Sequence, residues 1–316
     1  MRNWIIIALI LLVVGIIGTG ATMGRDGFWN FGTVDIAQNQ AVDGTGAKNI
    51  ILSMESMDVT VVKGPTNEIK ASLSGKVSEK FVKSTKLKVV RNGDTVTVGV
   101  DAKNGFSFGV SIFNAKLKLE LPEQQYDSLA LDSGSGNTSI TDLAAQTLDV
   151  EAGSGNVKFN QLTVGKLSLD IGSGNSTITD VTADTAELDM RSGVITVEKL
   201  KARELSAEAG SGDIKLYDVD AELEAKTSSG NIRVEQSAIT RPMELSSGSG
   251  DVTVNTDARP ESVRFKFDGG SGDLRNHWDG AVQSTDDDDE KNVVFGDGGI
   301  LVSVETGSGN LTIGER

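Results

Sequence analysis

Glycine returns along this chain on a fixed beat. Small loops of the form "GSGN" or "GSGD" recur in "LDSGSGNTSI", "VEAGSGNVKF", "LDIGSGNSTI", "AEAGSGDIKL", "ELSSGSGDVTV" and "VETGSGNLTI". The second glycine of each loop, or its equivalent, falls at Gly136, Gly155, Gly174, Gly193, Gly212, Gly230, Gly250, Gly272 and Gly309. Successive spacings are 19, 19, 19, 19, 18, 20, 22 and 37 residues. So regular a period marks a repeat architecture rather than scattered loops.

Aligned on that glycine, the repeats share apolar offsets. Seven residues before it stand Leu129, Leu148, Leu167, Ala186, Leu205, Leu223, Met243, Phe265 and Val302. Five before it stand Leu131, Val150, Leu169, Leu188, Ala207, Ala225, Leu245, Phe267 and Val304, and four after it Ile140, Phe159, Ile178, Val197, Leu216, Val234, Val254 and Ile313. The positions between are mostly polar, so each repeat reads as strand, tight turn, strand with one face buried. A single repeat cannot bury that face alone. Stacking at strand spacing buries a continuous column, which is the logic of a β-solenoid. The expected fold is all-β: a single-stranded right-handed solenoid of about 19-residue coils.

Two meanings compete for the loop: a row of binding sites, or the corner of each coil. A sharp repeated corner needs positive φ and little bulk, which glycine supplies. The following Asn137, Asn156, Asn175, Asp213, Asn231, Asp251, Asp273 and Asn310 suit such turns and would form a ladder along one edge. The repeat "MRSGVITV" around Gly193 drops the first glycine and the Asn yet keeps the apolar positions. The structural reading is therefore preferred.

Charge narrows the partners. The formal net charge is −15, which argues against nucleic acid. Residues 63–120 hold 11 Lys/Arg against 5 Asp/Glu, whereas residues 127–316 hold 16 against 34. A basic N-terminal half thus precedes an acidic C-terminal half. With no Cys, disulfides, thiolate metal sites and Cys nucleophiles are excluded.

The N-terminus "MRNWIIIALILLVVGIIGTGATMGRD" carries no charge between Arg2 and Arg25. The stretch from Trp4 to Met23 is long enough as a helix to span a bilayer core. An uncleaved transmembrane anchor is the expectation, with a cleaved signal peptide as the alternative. Either exports the rest of the chain, giving a single-pass cell-membrane protein with an extracytoplasmic β domain, or a secreted one. Phe28, Trp29 and Phe31 fit either an interfacial belt or a first strand.

The expected organisation is therefore an anchor or signal at 1–25, a linker at 26–46, a first solenoid turn with an antiparallel β cap at 47–126, and repeats at 127–316. The first turn is "NIILSMESMDVTVV", with Met57 in place of glycine. The cap holds a hairpin around Asn92-Gly93 and a strand stopped by Pro122. An acidic insertion at 274–299 lengthens the last spacing.

No catalytic, cofactor-binding or metal-binding residues are assigned. The loops lead into strands without a following Lys-Ser/Thr, unlike phosphate cradles. "GGSGDL" at Gly269 misses the spacer of a calcium β-roll. The run Asp286 to Glu290 has enough oxygens for a divalent cation but no organising ligand pattern. His277 is the only histidine, and reads as a loop residue beside Trp278. Outward acids such as Asp132, Asp149, Asp170 and Asp189 are evenly spread rather than paired for acid/base chemistry. A polysaccharide-active β-helix enzyme is thereby the least favoured reading.

The N-terminal apolar segment, "MDVTVVKGPTNEIKASLSGKV", the "NGDTVTV" hairpin, "LKLELPEQQYDSLALDSGSGN", the "SGN" ladder and the closing "FGDGG…VETGSGNLTI" occur in that order. From about residue 45 onward this resembles the bacterial putative-adhesin family of β-strand-repeat domains, a domain of unknown function. Some of its members, the LiaG type, are membrane-anchored and encoded with cell-envelope stress systems. The resemblance implies an extracytoplasmic solenoid that acts by surface interaction on an envelope polymer or a membrane protein partner. The alternative it implies is a regulatory or sensory role in envelope stress; it brings no cofactor and no catalytic residue.

Overall fold

A computed structural model describes residues 32–101, 113–285 and 290–316. The expected anchor at 1–25, the start of the linker with Phe28, Trp29 and Phe31, and Asp286 to Asp289 lie outside the described residues. Among those described, no helix is long and apolar enough to cross a membrane.

The described residues belong almost wholly to one sheet system, as the alternation required. Eight elements make its N-terminal end: β1 (Thr33–Asp43), β2 (Asn49–Ser56), β3 (Asp58–Lys63), β4 (Glu68–Ser78), the short helix α1 (Glu79–Val82), β5 (Lys86–Asn92), β6 (Thr95–Asp101) and β7 (Phe113–Leu121). The repeats follow in β8 (Gln125–Ser135), β9 (Thr138–Ser154), the continuous winding β10 (Val157–Ser211), β11 (Ile214–Tyr217), β12 (Asp220–Ser229) and β13 (Ile232–Gln236). The remainder comprises β14 (Met243–Ser247), β15 (Val252–Thr256), β16 (Val263–Asp268), β17 (Leu274–Asn276), β18 (Val282–Thr285), β19 (Lys291–Phe295), β20 (Ile300–Thr306) and β21 (Leu311–Glu315).

Neighbouring repeats pair in parallel at the predicted offset: Leu129 opposes Leu148, Leu148 opposes Leu167, and Ile140 opposes Phe159. Stacked in register, these apolar positions are almost completely buried in one continuous core. Each such Leu or Val contributes about 1.5–3 kcal/mol relative to exposure. A column of aliphatic residues therefore suffices without many aromatics.

A coil has one more piece than strand, turn, strand. After the strand that follows the glycine, Asp142, Gln161, Asp180, Lys199 and Asp218 adopt φ of 52° to 56°. This is a second corner, built without glycine. A short third strand follows, for Leu162 opposes Leu143 and Val164 opposes Ala145. A coil is thus a long strand, the glycine corner, a second strand, a left-handed corner and a short strand.

The ends differ from the linear expectation. The stack does not start at β2 and β3. β6 pairs parallel to β2, and β7 pairs parallel to β3, so β6 and β7 supply a further coil outside the first. At this end only β4, β1 and β5 run antiparallel, on β7, β4 and β6 respectively. The expected antiparallel cap is therefore half parallel. The expected linker is a strand over Thr33–Asp43, because its alternate residues cover this end: Ile36 is buried, and Gln38 and Gln40 reach the free edge of β5. The Leu87 and Val89 amides donate to Gln38 Oε1 (2.9 Å) and Gln40 Oε1 (2.8 Å). The Nε2 groups of Gln38 and Gln40 donate in turn to the Thr85 and Leu87 carbonyls (2.8 and 2.7 Å). Two side-chain amides thus stand in for a neighbouring strand and satisfy an edge that would otherwise invite pairing.

The C-terminal end repeats the device. β20 lies between β14 and β16, and β21 between β15 and β17. The last repeat in sequence is intercalated between two earlier ones, which the 37-residue spacing did not reveal. The expected acidic insertion is itself partly ordered into β17, β18 and β19, with β19 antiparallel on β16. Aromatic residues gather here: Phe265 and Phe295 meet edge to face at 6.1 Å, and Trp278 packs against the end of the core.

Candidate interaction faces

The glycine corner is structural, and the reason goes beyond turn geometry. Gly174 has φ 142°, and a Cβ placed there would overlap the carbonyl of Gly155 in the coil before it. The same holds from Gly136 to Gly155 and from Gly193 to Gly212. Each corner sits against the backbone of the last, so the second glycine is required from Gly136 onward, while Met57 holds this place in the coil before it. Arg191 replaces the first glycine in the divergent repeat, whereas Gly193 stays.

The residue after the glycine forms the anticipated ladder, but it reaches the next coil rather than its own turn. The Asn137 Oδ1 accepts from the Asn156 backbone N–H (3.1 Å) and from its Nδ2 (3.2 Å). Asn156 receives Asn175 in the same way, and Asp58 receives Asn137. The ladder stops where the Val194 amide donates to Asn175 Oδ1, since Val194 offers nothing onward. It restarts at Asp213 and runs through Asn231, Asp251 and Asn310 to the Asp273 amide. Its amides and carboxylates are consumed in holding coils together.

Other sequence candidates are likewise placed in structural roles. The His277 amide donates to the Ile313 carbonyl (2.9 Å), extending β17 along β21. Among the described residues no three His, Asp or Glu side chains converge as metal ligands. A groove of about 700 Å3 is lined by Asp218, Asp220, Glu222 and Arg241. Two of its acids are engaged: Arg241 Nε lies 2.8 Å from Asp220, and Arg316 holds Asp218 at 2.7 Å. Burial pushes the Tyr126 phenol up to about 12, and its hydroxyl donates to the Pro122 carbonyl (3.0 Å), a packing role.

The outward residues are sorted by face. On the long strand Asp132 opposes Glu151 and Glu151 opposes Asp170, and the column continues through Asp189 and Glu208 to Lys226 and Ser246, then Glu305 and Asp268. Burial raises the Asp189 carboxyl, and Glu187, Glu208 and Asp170 raise it further. On the second strand the corresponding column is Lys118, Thr60, Ser139, Lys158, then Thr177 and Thr196, then Lys215, Arg233, Thr253, Thr312 and Arg275. It contains no carboxylate. The charge contrast read along the chain is therefore also a contrast between faces. In the basic N-terminal segment, Lys63, Lys70, Lys88, Lys116 and Lys118 are each paired, with Glu123, Glu68, Asp101, Asp58 and Glu120.

With this geometry in view, comparison with known proteins places the chain. The Toastrack DUF4097 family matches residues 47–314. The chain belongs to that family. Among solved structures it is similar to a "putative adhesin" from Parabacteroides distasonis, at 14% identity and TM-score 0.51, covering 88% of this chain and 97% of that one. It is also similar to a "putative lipid binding protein" from the same organism, at 17% identity and TM-score 0.51, covering 87% and 96%. At these identities the likeness shows the fold. No curated protein matches the chain.

The family and the solenoid were both legible from the ordered motifs. The second corner, the end topology and the sorting of charge by face were not drawn from them. The last was present in the aligned outward offsets four before and three after the glycine.

Proposed function

We propose that this Toastrack chain is a membrane-tethered, extracytoplasmic solenoid that acts by surface interaction on an envelope polymer or a membrane protein, not by catalysis. The observation that carries the reading is the pair of long outward columns in register along the stack, one rich in carboxylates from Asp132 to Glu208 and the other mixing hydroxyls with Lys and Arg. Such faces suit extended contact, and interaction through surface charge is sensitive to salt. The apolar N-terminal segment supplies the tether, and the fold shared with a "putative adhesin" and a "putative lipid binding protein" is consistent with a binding role.

The test is protease treatment of whole cells producing the full chain, followed by fractionation. The expected result is a membrane-associated protein whose solenoid is digested from outside. A chain found in the cytoplasm and protected from protease sinks the reading. A regulatory role of the LiaG type shares this placement and draws on the motif order. It predicts recovery of a membrane protein partner on mild solubilisation, and repeated recovery of the chain without one argues against it.

A further inference from the structure

We propose that copies of this chain stand side by side with parallel axes, the acidic long-strand face of one copy against the cation-bearing second-strand face of the next. The inference rests on the tethered reading above, because anchoring every copy at the same end fixes the direction and height of each stack.

The two faces carry complementary charge at the same pitch, since both belong to the same coils about 4.8 Å apart. At equal height opposite charges meet in three coils, where Lys158 shares its coil with Glu151, Lys215 with Glu208 and Arg275 with Asp268, whereas Arg233 shares its coil with Lys226. Within one molecule each pair points away from two different strands; between neighbours shifted sideways they would meet. Lys158 and Arg275 are exposed and make no ion pair among the described residues. The acidic column has the opposite problem, for parallel pairing sets like charges beside one another from Asp132 to Asp170. A neighbour's cations and hydroxyls would relieve that repulsion.

Area is sufficient. From the coil of Lys118 to that of Arg275 the second-strand face runs about 48 Å, with a width of about 15 Å. Contact along its length would bury about 1,400 Å2 over both copies, in the range of standard specific interfaces. A face-one to face-two contact is heterologous, so it propagates into rows or rings rather than ending at a dimer.

The chain has no cysteine, so introduced ones report without background. Full-length Asp170→Cys and Thr177→Cys variants, whose positions share a coil, are produced together in cells and oxidised. The expected result is a disulfide dimer that needs both variants, and a ladder of higher species from the double variant. Asp170→Cys with Thr253→Cys, about 19 Å out of register, is expected to link at least fivefold less. Lys158→Glu with Lys215→Glu should lower the yield severalfold. Adding Glu151→Lys and Glu208→Lys in the same chain should restore it, which separates lost contact from lost folding.

A membrane-impermeant maleimide applied to the same cells reads the underlying placement. Labelling of Asp170→Cys from outside without any cross-link overturns the packing alone. Cross-linking of Asp170→Cys with itself, or equally out of register, overturns it too. Failure of Gln161→Cys, at the exposed left-handed corner away from both faces, to label overturns the tethered reading and this proposal with it.

Discussion

Each coil of this solenoid turns two sharp corners, and the chain builds them differently. At one corner Gly155, Gly174, Gly193 and Gly212 stack so closely that no side chain fits. At the other, Asp142, Gln161, Asp180, Lys199 and Asp218 accept a left-handed backbone at φ 52° to 56°. That conformation costs a non-glycine residue about 1–2 kcal/mol, yet it recurs in five consecutive coils. The difference teaches that a left-handed φ near 55° does not by itself demand glycine, whereas the glycine corner combines φ of 121° to 144° with a neighbouring carbonyl in the way. At Gly230, Gly250 and Gly309, where φ is not positive, close approach of the neighbouring backbone alone demands it.

The sharpest way to break this comparison is Gly174→Ala, which adds a methyl group against the Gly155 carbonyl and strains a φ of 142°. It should lower stability on the order of 3 kcal/mol, read as a fall in the urea midpoint. A loss below half of that would mean that neighbouring coils move apart freely. A smaller effect is expected at the residue after the glycine. Val194→Asn would join the two halves of the ladder by giving the Asp213 coil an acceptor. A gain of about 0.5–1.5 kcal/mol should follow, and Asn156→Ala should cost a similar amount. Thermal melts showing the two variants shifting in the same direction would remove the ladder from the account. The smallest effect belongs to the permissive corner. Gln161→Gly relieves the left-handed penalty but frees the unfolded chain, so stability should change by less than about 1 kcal/mol, with a gain the more favoured sign. A loss as large as that of Gly174→Ala would show that the Gln161 side chain holds the corner.

The same contrast explains what could be read from residues alone. The glycine corner announces itself because steric exclusion leaves one residue type, and the aliphatic columns do so because burial leaves few. The second corner stayed silent, since Asp, Gln and Lys at an exposed turn look like any polar surface. Coil order at the ends was hidden for a related reason. Repeats with the same apolar offsets fit against one another interchangeably. Leu245 takes Ala225 on one side and Val304 on the other, and Val304 in turn receives Phe267. The charge pattern was legible but was summed along the chain. Sorting it by alternation, with Asp170 outward on one strand and Thr177 on the next, separates the faces. The tether and the run Asp286 to Asp289 rest on sequence.

The interleaving of the end coils bears on how such a stack comes apart. A simple solenoid frays like a coil of rope, its last turn lifting off first and each loss exposing the next. Here the outermost turns, β6 with β7 and β16 with β17, are interior stretches of the polymer, each locked over a turn drawn from nearer the end of the sequence. Pulling on β21 tugs at a strand clasped on both sides, by β15 and β17. Resistance to unravelling is thus written into the order of threading.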